Sequence, residues 1–392
     1  MNCPYAATAS ALDQAPLAGD LPAAYPAAIN RRYRSIEDPA TVRAILAHPE
    51  HFSPANALAT AVPLAPAALR ILSRVKFALP EVLASASGPE HLAVRRITAG
   101  FFSPAKVRAQ REWVQARVRE ICAGLDTRLR RGEVLDLGTE LAAVIPVEIM
   151  ARMTGLPVPP RSSLKAWSQD SLELFWGWPD EPRQLELAHN AAQYYAWLDG
   201  AVHEAVLRDD ENLCAQLHRG GVPERKLRSL TYFLGIAGQE TTSMLISTAL
   251  HAALRDHRWS ALTHPDTGMA TARQLIGEVL SRASSVPTWR RIATSAIRID
   301  EQDFRPGDEL VLRLSGGDLG VATDASLAFG HGIHRCLGAG LARMEAELVL
   351  AETARLLPAL EADPKAVRFG YSLSFQAPDA VLCRYPNESR HP

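Results

Sequence analysis

Cys336 stands among glycines in the stretch Phe329-Gly330-His331-Gly332-Ile333-His334-Arg335-Cys336-Leu337-Gly338. It lies just ahead of a segment in which Leu341, Met344, Leu348 and Ala351 form a helical stripe. A thiolate at a helix start is stabilised by the helix dipole and by free backbone N–H groups. The same donors tune how much electron density sulfur pushes onto a metal. Glycines at 330, 332 and 338 allow a tight loop whose backbone can come close to a flat ligand. These residues leave two readings open: an inert buried thiol in a turn, or a metal-binding thiolate. Cys3, Cys122, Cys214 and Cys383 carry no such surroundings and read as inert. The second chemically loaded stretch is Gly235-Ile236-Ala237-Gly238-Gln239-Glu240-Thr241-Thr242-Ser243, inside an otherwise apolar helical pattern over Arg228–Asp256. Glycine and a Glu-Thr-Thr-Ser run are locally unfavourable in a buried helix. Broken local rules in a core element mark functional sites, but hydroxyls bonding back to the preceding turn explain the run equally well.

These stretches need a framework to position them. The chain has 392 residues, 47% hydrophobic and 22% charged, with a formal net charge of −1. That length buries a large core without disulfides, and the near-zero charge gives no case for nucleic-acid or membrane-surface binding. Five scattered cysteines with no CxxC spacing fit a reducing compartment. The N-terminus lacks a signal-peptide pattern, and Leu58–Leu72 is broken by Pro63 and Pro66. A cytoplasmic location with no membrane association is therefore expected. Helical spacing dominates residues 40–285, as in Pro104–Asp126, Leu185–Leu207 and Arg228–Asp256. Strand-like runs gather later: Ala296–Ile299 and Leu310–Leu314 read as one hairpin, Val367–Phe375 and Ala380–Tyr385 as another. The expected fold class is mainly α with a small β region.

The loop around Cys336 resembles the haem-binding loop of the cytochrome P-450 superfamily, Phe-Gly-x-Gly-x-His-x-Cys-x-Gly, with every fixed position matched and Ala342-Arg343 continuing the family's helix start. The stretch Ala237-Gly238-Gln239-Glu240-Thr241 resembles the family's Ala-Gly-x-(Asp/Glu)-Thr on the oxygen side of the haem. The resemblance runs from about Ile45 to Tyr385. It implies one cytochrome P-450 domain over residues 1–392, a triangular prism of helices around haem b, helix-rich over 40–285 and carrying the β elements and haem-ligand region over 286–392. It implies Cys336 as the iron ligand, Phe329 packed near the thiolate, and Gly330 and Gly338 shaping the loop. His91-x-x-x-Arg95, Arg291 and His334 would hold the haem carboxylates, which must be neutralised when buried. Ala237 and Gly238 would leave room for dioxygen. Thr241 and Glu240 would serve proton delivery for O–O cleavage, which thiolate ligation favours.

Two departures stand out. The family's Glu-x-x-Arg appears as Glu278-Val279-Leu280-Ser281-Arg282, with the arginine one position late. On a helix, Glu278 and Arg282 could still pair at i, i+4. The long segment ahead of the cysteine is reduced to Ser315–Ser326, roughly a dozen residues short of the family pattern. Weaker haem retention than is usual in the family is expected from both.

The function implied is a monooxygenase that inserts one oxygen atom of O2 into a small organic or carrier-bound substrate in specialised metabolism. No flavin or nicotinamide fingerprint occurs, so ferredoxin and ferredoxin reductase would supply electrons, with Arg335 and Arg343 on the docking face. The alternatives are a haem-thiolate enzyme with a non-hydroxylating oxidation and a catalytically silent haem-binding protein. Substrate-facing positions fall near Phe52–Pro80, Leu174–Pro179, Leu234–Ala237, Val286–Trp289 and Tyr371–Phe375.

Overall fold

A computed structural model describes residues 10–156, 158–208, 210–316 and 327–386. The helices that frame the site are α1 (Pro39–Ala47), α2 (Gly88–Phe101), α3 (Arg111–Leu129), α4 (Arg161–Trp176), α5 (Glu181–Arg208), α6 (Glu224–Ala237), α7 (Glu240–Arg255), α8 (Gly268–Arg282) and α9 (Ala339–Leu356). Because α7 and α9 run through the middle, both are buried over most of their length. Their side chains join one apolar cluster that also takes in α3, α8, Ala11, Leu12 and Ala15 near the N-terminus and Val381 and Cys383 near the C-terminus. A second cluster is aromatic: Phe175, Trp176, Tyr194, Tyr195 and Tyr232 from α4, α5 and α6 meet Phe375. Burying such rings contributes more apolar area per residue than aliphatic packing does.

The β region carries a four-stranded sheet of β1 (Arg34–Ile36), β2 (Phe52–Ser53), β3 (Thr288–Ala293) and β4 (Glu309–Arg313), in the order β1-β4-β3-β2. β1 runs parallel to β4, with Arg34 opposite Leu310; β3 is antiparallel to both β4 and β2. β5 (Phe369–Tyr371) pairs with β6 (Gln376–Pro378) in a separate hairpin.

The mainly α class with a small β region agrees with the expectation, but the strand partners do not. Ile297–Ile299 pairs with Gln302–Phe304 across a two-residue turn in which Asp300 has φ +50°. That leaves β4 free to pair with β3, with Trp289 opposite Leu312 and Arg291 opposite Leu310. Likewise Leu382–Arg384 pairs with Leu135–Asp136 and Glu361–Ala362, not with the run ending at Phe375. Alternation in sequence identifies a strand's faces; it does not name its partner. The expected single helix over Arg228–Asp256 is two, broken at Gly238-Gln239, and the segment starting at Pro104 breaks after Arg108. Of the shortened segment ahead of the cysteine, residues 317–326 lie outside the described residues, as does Cys3. Among the described residues no helix is long and apolar enough to cross a membrane.

Candidate active site

The thiolate loop is held by its own backbone. The Cys336 N–H donates to Phe329 O at 2.8 Å, the Gly330 N–H to Leu327 O at 2.7 Å, and the Arg335 N–H to Gly332 O at 3.1 Å. Gly332 has φ +66°, and a Cβ there would sit 2.9 Å from Leu46 O at the end of α1. Only glycine meets both demands. The chain then enters α9 at Ala339, which directs the N–H groups of Gly338 and Ala339 toward the Cys336 sulfur. The sulfur is open to a cavity and enclosed by protein on its other sides. Burial pushes its thiol pKa up; the Gly338 N–H, the Arg95 and Arg335 charges and the Ala339 N–H oppose this. A coordinating metal would override that balance, because it deprotonates a ligating thiol outright.

That cavity has a volume of about 240 Å³. Arg95, Arg291 and His334 line it, and no aspartate or glutamate does among the described residues. Arg291 projects from β3 and is 1% exposed. Its Nη1 donates to Arg290 O at 2.7 Å, and no carboxylate pairs with it. Burial lowers its pKa to about 10. Arg95 donates to Arg335 O. His334 Nε2 lies 2.8 Å from Ala86 O, while its Nδ1 has no partner. Burial, then the Arg291 charge, lowers the His334 pKa to about 4. His91 sits behind it with ring centroids 5.0 Å apart, and both His91 nitrogens are without partners. Unpaired buried cations are costly. A flat dicarboxylate beside Cys336 would satisfy the cluster, so these residues fit haem. Phe329 closes the loop side of the cavity, with the Arg343 guanidinium 5.3 Å from its ring centre.

The opposite wall is the break between α6 and α7. A Cβ on Gly238 would meet Met150 Cε at 2.6 Å and Leu234 O at 2.8 Å, so the close approach of α6 requires glycine. Gln239, at φ −119° and ψ −49°, leaves helical geometry. Ala237, Gly238, Thr241 and Thr242 line the cavity. Thr241 Oγ1 donates to Ala237 O at 2.8 Å. This is the back-bonding expected from the residues alone, but it occurs at the cavity wall. Glu240 is not brought to that wall. It is 4% exposed and accepts from Lys165 Nζ at 3.0 Å and Ser168 Oγ at 2.6 Å. Its carboxylate borders a second cavity, lined also by Asp136, Gln169, Trp178 and Tyr371.

Glu278 does not pair with Arg282. Its oxygens accept from Arg258 at 2.5 and 3.0 Å, a two-pronged contact that holds its carboxyl below the usual range. Arg282, the last residue of α8, turns to Asp13 instead. Toward the aromatic cluster the cavity is bounded by Trp176, Trp289 and Phe375, with the Trp176 and Phe375 rings edge-on at 4.9 Å. Phe102, Met150 and Leu245 also line the cavity and carry no motif signal. Leu245 alone was findable, four residues after Thr241 on the same helical face.

No protein-family model matches the chain. It is 26% identical over 320 residues to the cytochrome P-450 monooxygenase PikC of Streptomyces venezuelae, covering 74% of this chain and 72% of that protein. It is 27% identical over 306 residues to the mycinamicin VIII methyl hydroxylase of Micromonospora griseorubida, covering 71% and 74%. Among solved structures, the cytochrome P-450 CREJ in complex with (4-ethylphenyl) dihydrogen phosphate superposes with a TM-score of 0.83 at 26% identity, over 92% of this chain and 93% of that one. A haem domain from Acinetobacter radioresistens has the same fold, with a TM-score of 0.83 at 24% identity, over 91% and 90%.

Proposed function

Because the chain belongs to the cytochrome P-450 superfamily and is a haem-thiolate monooxygenase, we propose that its single domain (1–392) binds haem b between the Cys336 loop and the α6–α7 break, with Cys336 ligating the iron. The observation that carries this is the Cys336 sulfur facing a cavity ringed by Arg95, Arg291 and His334 without one acidic group. Bound there, the haem supplies the activation of dioxygen and the transfer of one oxygen atom to substrate.

The chain's own residues do the rest. Arg95 and Arg291 would neutralise the haem carboxylates, and His334, backed by His91, would hydrogen-bond to them as a neutral imidazole. The Gly338 and Ala339 N–H groups stabilise the Cys336 thiolate, and Phe329, Gly330 and Gly338 shape the loop around it. Ala237 and Gly238 keep space at the opposite face. Thr241 gives its proton to Ala237 O, which leaves its lone pairs to accept and orient a proton-bearing group in the cavity. Glu240 borders the second cavity and is held by Lys165 and Ser168, so it would have to be released by them before it could pass a proton toward Thr241. A non-oxygenating enzyme has no use for this hydroxyl and acid, which disfavours the alternatives.

The relatives named for PikC and for mycinamicin support a role in specialised metabolism; a small-molecule or carrier-bound substrate is the form we propose. Trp176, Trp289 and Phe375 favour an apolar one. Relatives of this kind take electrons from redox partners; a ferredoxin with its reductase, docking near Arg335 and Arg343, in the cytoplasm, is the form we propose. The reduced protein under carbon monoxide tests the reading. It should show the strongly red-shifted band of cysteinate-ligated haem, and Cys336→Ala should abolish it. Persistence of that band in Cys336→Ala removes the assignment.

A further inference from the structure

The strongest feature outside the site is the N-terminal segment Ser10–Gly19, two short 3-10 turns that would ordinarily lie loose on the surface. Here it is embedded. Ala11, Leu12, Ala15 and Leu17 are almost fully buried, and Ala11, Leu12 and Ala15 pack in the same cluster as Leu280, Ala328, Leu341 and Met344 around the thiolate loop. Its polar atoms reach four separate element ends. Ser10 Oγ and the Ala11 N–H donate to Asp256, just past α7, both at 2.7 Å. Asp13 takes Arg282 at the end of α8. Leu17 O and Gly19 O accept from Arg313 at the end of β4, at 3.2 and 2.6 Å. The Leu17 N–H donates to Gln376 of β6 at 2.9 Å. Gly316, at φ +82°, lies so close that a Cβ would come within 2.9 Å of Ala18 Cα.

We propose that Ser10–Gly19 is a strap that positions the Cys336 loop and thereby retains the haem, with Leu12 and Leu17 as its positioning residues. The inference rests on the haem-thiolate reading above. The physical ground is how α8 ends: Glu278 is taken by Arg258, Ser281 O accepts from the Gly316 N–H at 2.8 Å, and Arg282 turns to the strap. The chain that leads to the thiolate loop leaves β4 at Arg313–Gly316, which the strap clasps directly. Arg313 is buried and also pairs with Glu37 at 2.6 Å, so its hold on the strap is rigid. A single exposed ion pair such as Asp13–Arg282 contributes little. The strap acts through the sum of buried apolar contacts and charge-assisted bonds to backbone carbonyls.

The test compares haem loss to excess apomyoglobin in three variants: a chain beginning at Asp20, Leu12→Ala with Leu17→Ala, and the control Leu187→Ala. Leu187 is fully buried in the cluster between α5 and the helix Pro66–Arg74, away from the cavity. At a temperature where each protein is folded, the strap variants should lose haem about 10- to 100-fold faster than wild type, the range over which outer partners change metal affinity. Their reduced carbon monoxide spectra should lose part of the cysteinate band. The control should lower the thermal midpoint while leaving haem loss within about twofold, because distant sites act independently. Strap variants that lose haem no faster than the control overturn the proposal. If the shortened chain does not fold, the double alanine variant decides. A wild-type protein without the cysteinate band would instead sink the underlying haem-thiolate reading, a separate result.

Discussion

Replacing Arg291 with methionine should move two stabilities in opposite directions. The Arg291 guanidinium is 1% exposed, has one hydrogen bond to Arg290 O, and has no carboxylate beside it among the described residues. Its pKa falls from 12.5 to about 10 because burial penalises the charge. At about 1.4 kcal/mol for each tenfold change in proton affinity, keeping it charged at neutral pH costs the haem-free fold about 3 kcal/mol. Methionine fills a similar volume without that cost, so urea unfolding of haem-stripped Arg291→Met should show a gain of up to about 3 kcal/mol. With haem bound, the same substitution strands a carboxylate. Removing one partner of a buried pair costs about 3–5 kcal/mol at most. Arg95 and His334 remain to share the load, so haem titration should show about a hundredfold weaker binding, or about 3 kcal/mol. A fall in haem-free stability, or unchanged haem affinity, refutes the assignment of Arg291 to a haem carboxylate.

Three further outcomes are expected. Gly332→Ala meets both a φ of +66° and Leu46 O at 2.9 Å, whereas Gly330→Ala, at φ +72°, has no atom closer than 3.7 Å; thermal unfolding should show Gly330→Ala costing about 1 kcal/mol and Gly332→Ala clearly more. Thr241→Val should leave the cysteinate spectrum intact while product formed per dioxygen consumed falls by about a hundredfold, the scale of one proton-transfer group; unchanged coupling would free Thr241 of that role. Glu345 is buried in α9 with Oε2 unpartnered, and burial pushes its pKa from 4.5 to about 8. The protonated form is favoured in the fold, so its contribution is present below pH 4.5 and is lost as pH rises toward 8. Glu345→Gln should therefore raise the thermal midpoint at pH 8 far more than at pH 5, and an equal shift at both refutes this.

The residues around Cys336 were legible because the chemistry there is local. A tight loop needs glycine, a helix start needs a cap, and both leave their mark within ten consecutive residues. Arg291, Arg95 and His334 were nameable for the same reason, each lying within a short matched motif. Glu240 was nameable too, but its neighbour in sequence did not determine its direction. Thr241 faces the haem cavity, and Glu240 points the other way to Lys165 and Ser168, because adjacent helical positions are about 100° apart.

Long-range partners were decided only by the tertiary structure. The i, i+4 spacing of Glu278 and Arg282 allowed a pair, yet Arg258 and Asp13 arrive from 20 and 269 residues away and make better-placed contacts. The strands around Pro306-Gly307 have other partners than their neighbours in sequence: Glu309–Arg313 pairs with Thr288–Ala293, and Ile297–Ile299 with Gln302–Phe304. The N-terminal segment showed no motif at all. Its proposed role rests on four element ends that it reaches at once, and no sequence distance encodes such a meeting. The amino-acid sequence thus determined which thiol is proposed as the ligand and the chemistry of its loop; the folded chain determined which distant residues meet around it.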